Sequence, residues 1–177
     1  MRALRRKFVL TPFLLLFASC GFRLRGTASV PFETLYVPGA TSGIALDLKR
    51  NIQAGTNARV VDDPKKADAV MEFTEETRQK EILSLTGVGR VREFQLRYRV
   101  GFRVHDGKGG EFVARNTIQL TRDVTFNDAE ILAKEQEEQL LFRDMQTDMV
   151  QQIVRRLAAA KPLVPESESP PPEERPK

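Results

Sequence analysis

Hydrophobic and polar positions alternate most regularly in the middle of the 177-residue chain. The apolar positions are Phe94, Leu96, Tyr98, Val100, Phe102 and Val104, and the polar positions between them include Gln95, Arg97, Arg99 and Arg103. Period two across residues 94–104 predicts a strand with one buried face. Glycine-containing segments at 87–89 and 106–110 bracket this strand, and glycine readily adopts the positive φ of tight hairpin turns. The pattern therefore predicts a meander of three long antiparallel strands.

The first strand of this meander has a less regular pattern. It is expected to run from Ala69 to Thr86, but residues 74–81 contain no hydrophobic side chain. A strand that packs on a core normally offers an apolar residue at every second position. We therefore expect the polar run at 74–81 to bulge or to leave the sheet.

Shorter elements precede the meander. Residues 34–37 and 59–61 have the composition of short strands, and between them Ile44, Leu48 and Ile52 recur at helical spacing. This strand–helix–strand order places a first helix before the meander. The helix needs a sheet face on which to bury its apolar stripe.

A second apolar stripe predicts the closing helix. Its members, spaced by three or four residues, are Phe142, Met145, Met149, Ile153 and Leu157. Asn127 or Asp128 is the expected N-cap. Methionines on such a stripe are typical of a packed core, although a partner-binding groove would have the same pattern. The predicted fold is α+β, with a mixed or antiparallel sheet of about four strands and two helices packed on one face.

Residues 1–19 have the pattern of an export signal. Basic residues occupy the first positions, a mostly apolar stretch runs from Phe8 to Ala18, and a small residue precedes Cys20. The stretch is shorter than the ~20 helical residues needed to cross a bilayer. The segment resembles a bacterial lipoprotein signal, so we expect Cys20 to be acylated. A buried free cysteine after an ordinary signal is the alternative. Gly21 favours retention at the outer membrane, on its periplasmic side.

The opposite end of the chain has a different bias. Residues 162–177 hold six of the ten prolines, together with Glu and Ser and without an aromatic residue. Such a composition cannot bury enough apolar surface to offset the entropy of ordering. We expect a disordered Pro/Glu-rich tail, with a proline-rich ligand as the alternative. The predicted folded domain is then 20–161, long enough to form a core without disulfides.

Charge and composition exclude several classes of function. The formal net charge of +4 disappears when the four basic residues of the predicted signal are removed, which leaves 24 basic and 24 acidic residues. A neutral body carries no global footprint for nucleic acid. One Cys and one His, His105, cannot form an internal disulfide or a His/Cys zinc site. No motif places a nucleophile beside His105. We therefore expect no enzyme activity, metal or cofactor.

Basic residues are the more suggestive groups. Arg90 and Arg92 follow the first glycine turn, and Arg97, Arg99 and Arg103 project from the strand opposite its apolar face. Guanidinium groups bind phosphate oxygens in a bidentate manner. An exposed face balanced by neighbouring acids would have the same pattern, and for the three strand residues both interpretations stay open.

Several segments together resemble the LPS-assembly lipoprotein LptE family. They are Cys20–Gly26, Glu93–Leu96 and, within 121–157, Asn127-Asp128, Leu132-Ala133-Lys134, Glu138, Arg143-Asp144-Met145 and Gln152–Leu157. The resemblance covers nearly all of 20–161, and the order of strand, helix and meander is similar. It implies a non-enzymatic component of the outer-membrane lipopolysaccharide translocon. Members of that family sit as a plug inside an LptD-type β-barrel, help that barrel to fold and bind lipopolysaccharide.

The resemblance also implies binding residues. The family uses basic positions at the meander tip and at the start of the closing helix. Lys134 matches the second position, whereas Gly87 falls at the first. Arg90 and Arg92 are the basic residues nearest to that tip, so the candidate lipopolysaccharide-binding set is Lys134, Arg90 and Arg92. The alternative is a free-standing outer-membrane lipoprotein that binds lipid or peptidoglycan without a barrel partner.

Overall fold

The computed structural model describes residues 27–161, which form an α+β fold. Cys20, the predicted signal peptide at 1–19 and the predicted tail at 162–177 lie outside the described residues. The expectations of export, acylation and a disordered tail stay predictions.

One mixed sheet contains all the named strands. They are β1 (Thr34–Tyr36), β2 (Arg59–Val61), β3 (Ala69–Leu85), β4 (Val91–His105) and β5 (Glu111–Thr125). The order is β2-β1-β3-β4-β5, with β1 parallel to both of its neighbours and the other pairs antiparallel. The meander and the mixed sheet are confirmed. The sheet has five strands rather than about four, because both three-residue strands pair and β1 bridges β2 to the meander.

Two helices, α1 (Gly43–Gly55) and α2 (Ile131–Ala158), pack on one face of the sheet. The first forms the crossover between β1 and β2, which parallel pairing requires. Most of the deeply buried side chains come from both helices and from β4, and they include Leu48, Ile52, Met145, Met149, Ile153, Leu96, Tyr98 and Phe102. Leu35 of β1 and Met71 of β3 complete this core. Met145 and Met149 are fully buried. The methionine stripe is therefore core, and the predicted two-helix layer is confirmed.

A short helical turn at Asp128–Glu130 leads into α2. The Asn127 side chain accepts a hydrogen bond from the amide of Ala129 at 3.1 Å. This bond satisfies one of the free amides at a helix start. Of the two expected caps, Asn127 is the residue that caps this turn.

The polar run at 74–81 stays in the sheet along its whole length. The expectation that it would leave the sheet is wrong, whereas a register shift between Phe73 and Glu75 provides the expected bulge. Backbone pairing with β4 does not depend on side-chain polarity, so the ladder continues through the polar residues.

Polar side chains of β3 also face α2. The Arg78 guanidinium donates a hydrogen bond to Gln146, and Lys80 forms an ion pair with Glu138. The Lys80 ammonium also lies 4.4 Å from the ring centroid of Phe94, a cation–π contact. Polar residues of α2 therefore pack on the polar run of β3, which explains how this run stays in the sheet without an apolar face.

Candidate functional site

The β3–β4 hairpin ends in a tight turn at residues 86–90. The amide of Thr86 donates to the carbonyl of Arg90 at 2.7 Å, and the amide of Arg90 donates to Thr86 Oγ1 at 3.1 Å. Gly89 has φ +79°, a conformation that residues with a side chain rarely adopt. The predicted glycine turn is confirmed. It places Arg90 at the last position of the turn and Arg92 at the second position of β4.

The path into α2 begins beside this hairpin. The amide of Phe126 donates to the carbonyl of Arg92 at 2.8 Å, and the Phe94 and Phe126 rings meet edge to face with centroids 5.2 Å apart. Thr125 is the last residue of β5 and pairs with Glu93. These contacts bring the start of α2 to the same end of the molecule as the hairpin turn.

Lys134 lies on the first turn of α2. Its ammonium donates to Thr125 Oγ1 at 3.1 Å and to Glu137 Oε2 at 2.8 Å, and its side chain is only 18% exposed. Because Thr125 precedes Phe126, and Phe126 bonds to Arg92, Lys134 is held near the start of β4. The structure therefore places Lys134, Arg90 and Arg92 at one end, and it pairs Lys134 with a carboxylate.

Large exposed apolar side chains accumulate at this same end. Those of the described residues are Ile82, Leu83, Leu85, Val88, Ile131, Leu132 and Leu140. Each belongs to the β3–β4 hairpin or to the first ten residues of α2. Val88 is 83% exposed and Leu132 is 70% exposed. Soluble domains rarely gather exposed apolar residues in one region unless that region contacts something.

Contacts between β3 and α2 fix the geometry of this tip. The Lys80–Glu138 ion pair joins β3 to α2. Beyond Lys80, β3 continues through Ile82 to the turn, and Lys134 lies one helical turn before Glu138 in α2, toward the same end. Ile82 pairs with Phe94 and so faces the helix side of the sheet. We name this end, comprising 82–92 and 131–140, the tip surface. It combines cations with uncovered apolar side chains.

The strand arginines occupy the opposite, outer face of the sheet. Arg97 pairs with Glu81 at 2.9 Å, and Arg103 pairs with Glu72 at 2.6 Å. Arg99 lies 2.7 Å from Gln119 Oε1 and 3.8 Å from a Glu75 oxygen. Of the two interpretations, the structure supports an outer face on which these arginines are balanced by neighbouring acids.

His105 is also part of that outer face. The hydrogen bond from Arg103 lowers the pKa of the Glu72 carboxyl, and the charge of Arg103 acts in the same direction. The Nδ1 of His105 accepts a hydrogen bond from the amide of Gly107 at 3.0 Å, which leaves Nε2 facing Glu72 at 3.8 Å. Within 27–161, no three His, Cys, Asp or Glu side chains gather as metal ligands would. None of the helices in the same range is long and apolar enough to cross a membrane.

The apolar part of the tip surface was not predicted from the sequence. Ile82, Leu83 and Leu85 have the composition of strand residues that the sheet would bury. The signal available in the sequence was their order, because adjacent Ile82 and Leu83 break the period of two just before a glycine turn. Such a break predicts apolar side chains on both sides of a hairpin that projects beyond its sheet.

Comparisons with known proteins agree with this architecture. Residues 29–157 match the family model LptE, described as lipopolysaccharide-assembly. The chain is 30% identical over 152 residues to the LPS-assembly lipoprotein LptE of Yersinia enterocolitica, covering 81% of this chain and 70% of that protein. It is 26% identical over 147 residues to the protein of the same name from Photorhabdus laumondii, covering 81% and 80%.

A solved structure is also similar. The solution structure of an uncharacterized lipoprotein B from Nitrosomonas europaea superposes with a TM-score of 0.68 at 45% identity, covering 78% of this chain and 91% of that one. The residues matched by the family model, 29–157, include every strand, the tip surface and nearly all of both helices. The chain belongs to the LptE family of lipopolysaccharide-assembly proteins.

Proposed function

We propose that this protein is a lipid-anchored outer-membrane component that binds lipopolysaccharide through its tip surface. The observation that carries the proposal is the joint presence of Lys134, Arg90 and Arg92 with exposed apolar side chains at one end of the fold. Lipopolysaccharide carries phosphates next to acyl chains. A surface that offers cations beside apolar groups matches both parts of such an amphiphile.

Each part of the tip surface supplies a different kind of interaction. Guanidinium and ammonium groups form charge-assisted hydrogen bonds with phosphate oxygens. Burial of an exposed Val or Leu side chain contributes about 1.5–3 kcal/mol when it is complete. Val88 and Leu132 are the most exposed of the apolar residues here, so they gain most from covering by an acyl chain.

The binding proposal is tested by removing the three cations together. The full mature chain carrying Arg90→Ala, Arg92→Ala and Lys134→Ala is titrated with lipopolysaccharide, and its fold is checked by circular dichroism. We expect binding to weaken at least tenfold with the fold intact. Unchanged affinity of the folded triple variant would remove these residues from the site.

A matched control removes the same amount of charge elsewhere. Lys65, Lys66 and Lys108 line an open cavity near the β4–β5 turn, at the other end of the long strands from the tip surface. Their replacement by Ala changes the net charge equally. We expect this control to bind lipopolysaccharide as the parent chain does, and an equal loss in both triples would show that binding follows net charge alone.

The apolar contribution has its own test. Val88→Ser combined with Leu132→Ser removes apolar surface without changing charge. We expect weaker binding of intact lipopolysaccharide and unchanged binding of its deacylated form, because the acyl chains are absent there. Equal effects on both ligands would contradict a role for these side chains in holding acyl chains.

We also propose that an LptD-type β-barrel holds this protein in its lumen. The support is the outer sheet face, where ion pairs such as Arg97–Glu81 and Arg103–Glu72 form a polar surface suited to a wet lumen. Affinity purification from solubilised outer membranes tests this. We expect a stoichiometric large barrel; recovery of the protein alone would favour the free-standing lipoprotein that binds lipid or peptidoglycan.

The membrane anchor rests on Cys20. Acylation of this residue would attach the domain to the outer membrane by several chains, which exceeds what stable anchoring requires. Cys20→Ser should release the protein into the periplasmic fraction. Retention of the variant in a strain depleted of the barrel would contradict an anchor at Cys20.

A further inference from the structure

Among residues 27–161, strand β5 is the last strand of the sheet and leaves one of its sides unpaired. The strand order ends in β4-β5, and β5 runs over Glu111–Thr125, whereas the opposite edge is the three-residue β2. A long edge strand presents a row of unpaired backbone groups that can bind another strand. The two edges therefore differ strongly in their capacity to recruit a strand.

The register between β5 and β4 shows which backbone N–H and C=O groups of β5 do not bond to β4. The amide of Phe126 donates to the carbonyl of Arg92, and the same register continues without a shift from Thr125 back to Asn116. Even-numbered residues therefore bond to β4, and the odd-numbered Thr117, Gln119 and Thr121 point their N–H and C=O groups away. Within 27–161, no further strand lies beyond β5 to pair with these groups.

The free stretch of β5 lacks the usual protection of an edge. Natural edges are blunted by Lys, Pro, bulges or short length. The segment Asn116–Thr121 has no charged residue, no Pro and no Gly, and its register shift lies before it, between the pairs formed by Val113 and Asn116. This segment of six residues corresponds to about 20 Å of strand.

The sequence of this edge is complementary to itself. When two copies are placed antiparallel with Gln119 opposite Gln119, Thr117 lies opposite Thr121 and Ile118 lies opposite Leu120. Arg115 then lies opposite Asp123. Both are exposed, and both lie on the outer face, where Arg115 acts electrostatically on Glu72 and Asp123 accepts a hydrogen bond from Gln95.

We propose that two copies of this chain pair antiparallel through β5, centred on Gln119, to form one continuous ten-stranded sheet. Symmetry produces each contact twice: two Arg115–Asp123 ion pairs and two Ile118–Leu120 apolar pairs flank the axis. In the alternative register, which is centred on Leu120 and shifts the pairing by two residues, Ile118 would lie opposite Arg122. Only the register centred on Gln119 places Arg115 opposite Asp123. The pairing concerns the chain by itself and does not depend on the proposed lipid or barrel binding.

Cysteine cross-linking tests the pairing and its register. The mature chain carrying Cys20→Ser has no thiol, so Gln119→Cys introduces one at the axis. Directly opposed residues have Cα atoms about 5.5 Å apart, within the 4.4–6.8 Å range of a disulfide. We expect efficient dimer formation under mild oxidation, and its absence would overturn the proposal.

Thr121→Cys is the matched control on the same edge. In the proposed register position 121 lies opposite Thr117, so the two introduced sulfurs of this variant are separated by four residue positions, or about 14 Å. We expect no cross-link from this variant alone and an efficient one when it is mixed with Thr117→Cys. Equal cross-linking of the Gln119 and Thr121 variants would overturn the register.

Charge reversal provides a second test without a covalent bond. Arg115→Asp places two acids at each ion-pair position of a homodimer, and Asp123→Arg places two bases there. Each variant alone should have the monomer mass by light scattering at concentrations where the parent chain is twice that mass. Mixed in equal amounts, the two variants should restore the doubled mass, because a mixed dimer places an acid opposite a base at both ion-pair positions. Failure of the folded parent chain to exceed the monomer mass, or of the mixture to associate, would overturn the proposal.

Discussion

The ion pair at Lys134 predicts opposite effects for its two members. The Lys134 ammonium lies 2.8 Å from Glu137 Oε2, and the lysine side chain is 18% exposed while that of Glu137 is 47% exposed. A phosphate that approaches Lys134 must compete with this carboxylate. Lys134→Ala should therefore weaken lipopolysaccharide binding, whereas Glu137→Gln should strengthen it.

The structure sets the size of both effects. Lys134 is largely screened from solvent, so its hydrogen bond to a charged oxygen falls in the range of about 1.5–3 kcal/mol. Binding of phosphate must displace the Glu137 contact, which reduces the net contribution of Lys134 to the binding free energy to about 1–2 kcal/mol. Lys134→Ala should therefore lower the affinity about 5- to 30-fold. An exposed ion pair contributes about 0.2–1 kcal/mol, so Glu137→Gln should raise affinity by about 1.5- to 5-fold.

Displacement of a fluorescent lipopolysaccharide probe measures both variants at low and high salt. The effect of Glu137→Gln should shrink at about 0.5 M salt, since the charge of the half-exposed Glu137 is then strongly screened, whereas the effect of Lys134→Ala should shrink less because Lys134 is only 18% exposed. Thermal unfolding of both variants checks that they stay folded. We expect nearly unchanged unfolding temperatures, because loss of one i,i+3 ion pair costs only about 0.2–0.5 kcal/mol of stability. Weaker binding by both variants would refute the reasoning, since it would show that the pair acts as a unit and not as a competitor of phosphate.

Three further predictions concern the fold. Met149 is fully buried, so Met149→Ala should lower the free energy of unfolding by about 2–5 kcal/mol in urea titrations, and a loss below about 1 kcal/mol would contradict its place in the core. The Tyr98 hydroxyl donates to Glu76 at 2.8 Å, so Tyr98→Phe should cost about 1 kcal/mol by the same assay; no loss would show that the bond adds nothing. Hydrogen bonds from Thr34 lower the pKa of the Asp68 carboxyl below its usual 3.8. The resulting stability is present above about pH 4 and is lost as pH falls through the lower folded-state pKa, so Asp68→Asn should flatten the decline in stability between about pH 5 and pH 3; an unchanged slope would contradict this.

Local pattern was sufficient for the meander and the helices. The alternation across 94–104, the glycine turns on either side and the stripe of Met145 and Met149 each reflect a period that the backbone itself imposes. Such periods survive in any tertiary context where one face is buried. For this reason the types and approximate limits of these elements could be predicted from the sequence.

The polar run at 74–81 shows where local pattern fails. It has no apolar face, yet it forms a strand because β4 supplies its hydrogen-bond partners and α2 supplies Gln146 and Glu138 to Arg78 and Lys80. Those partners lie far away in sequence. No local period can report a strand whose polar face is matched by another element.

By itself, the sequence determined the α+β fold and its principal elements, while its resemblance to the LptE family supplied the basic candidates Lys134, Arg90 and Arg92. The tertiary structure alone decided that these candidates share one end with exposed apolar side chains, that Lys134 is paired with Glu137, and that β5 is the last strand of the sheet among residues 27–161. The physical reason is the range of the interactions involved. Periodicity and turn chemistry act between near neighbours, whereas exposure, ion pairing and strand order depend on which distant segments pack together.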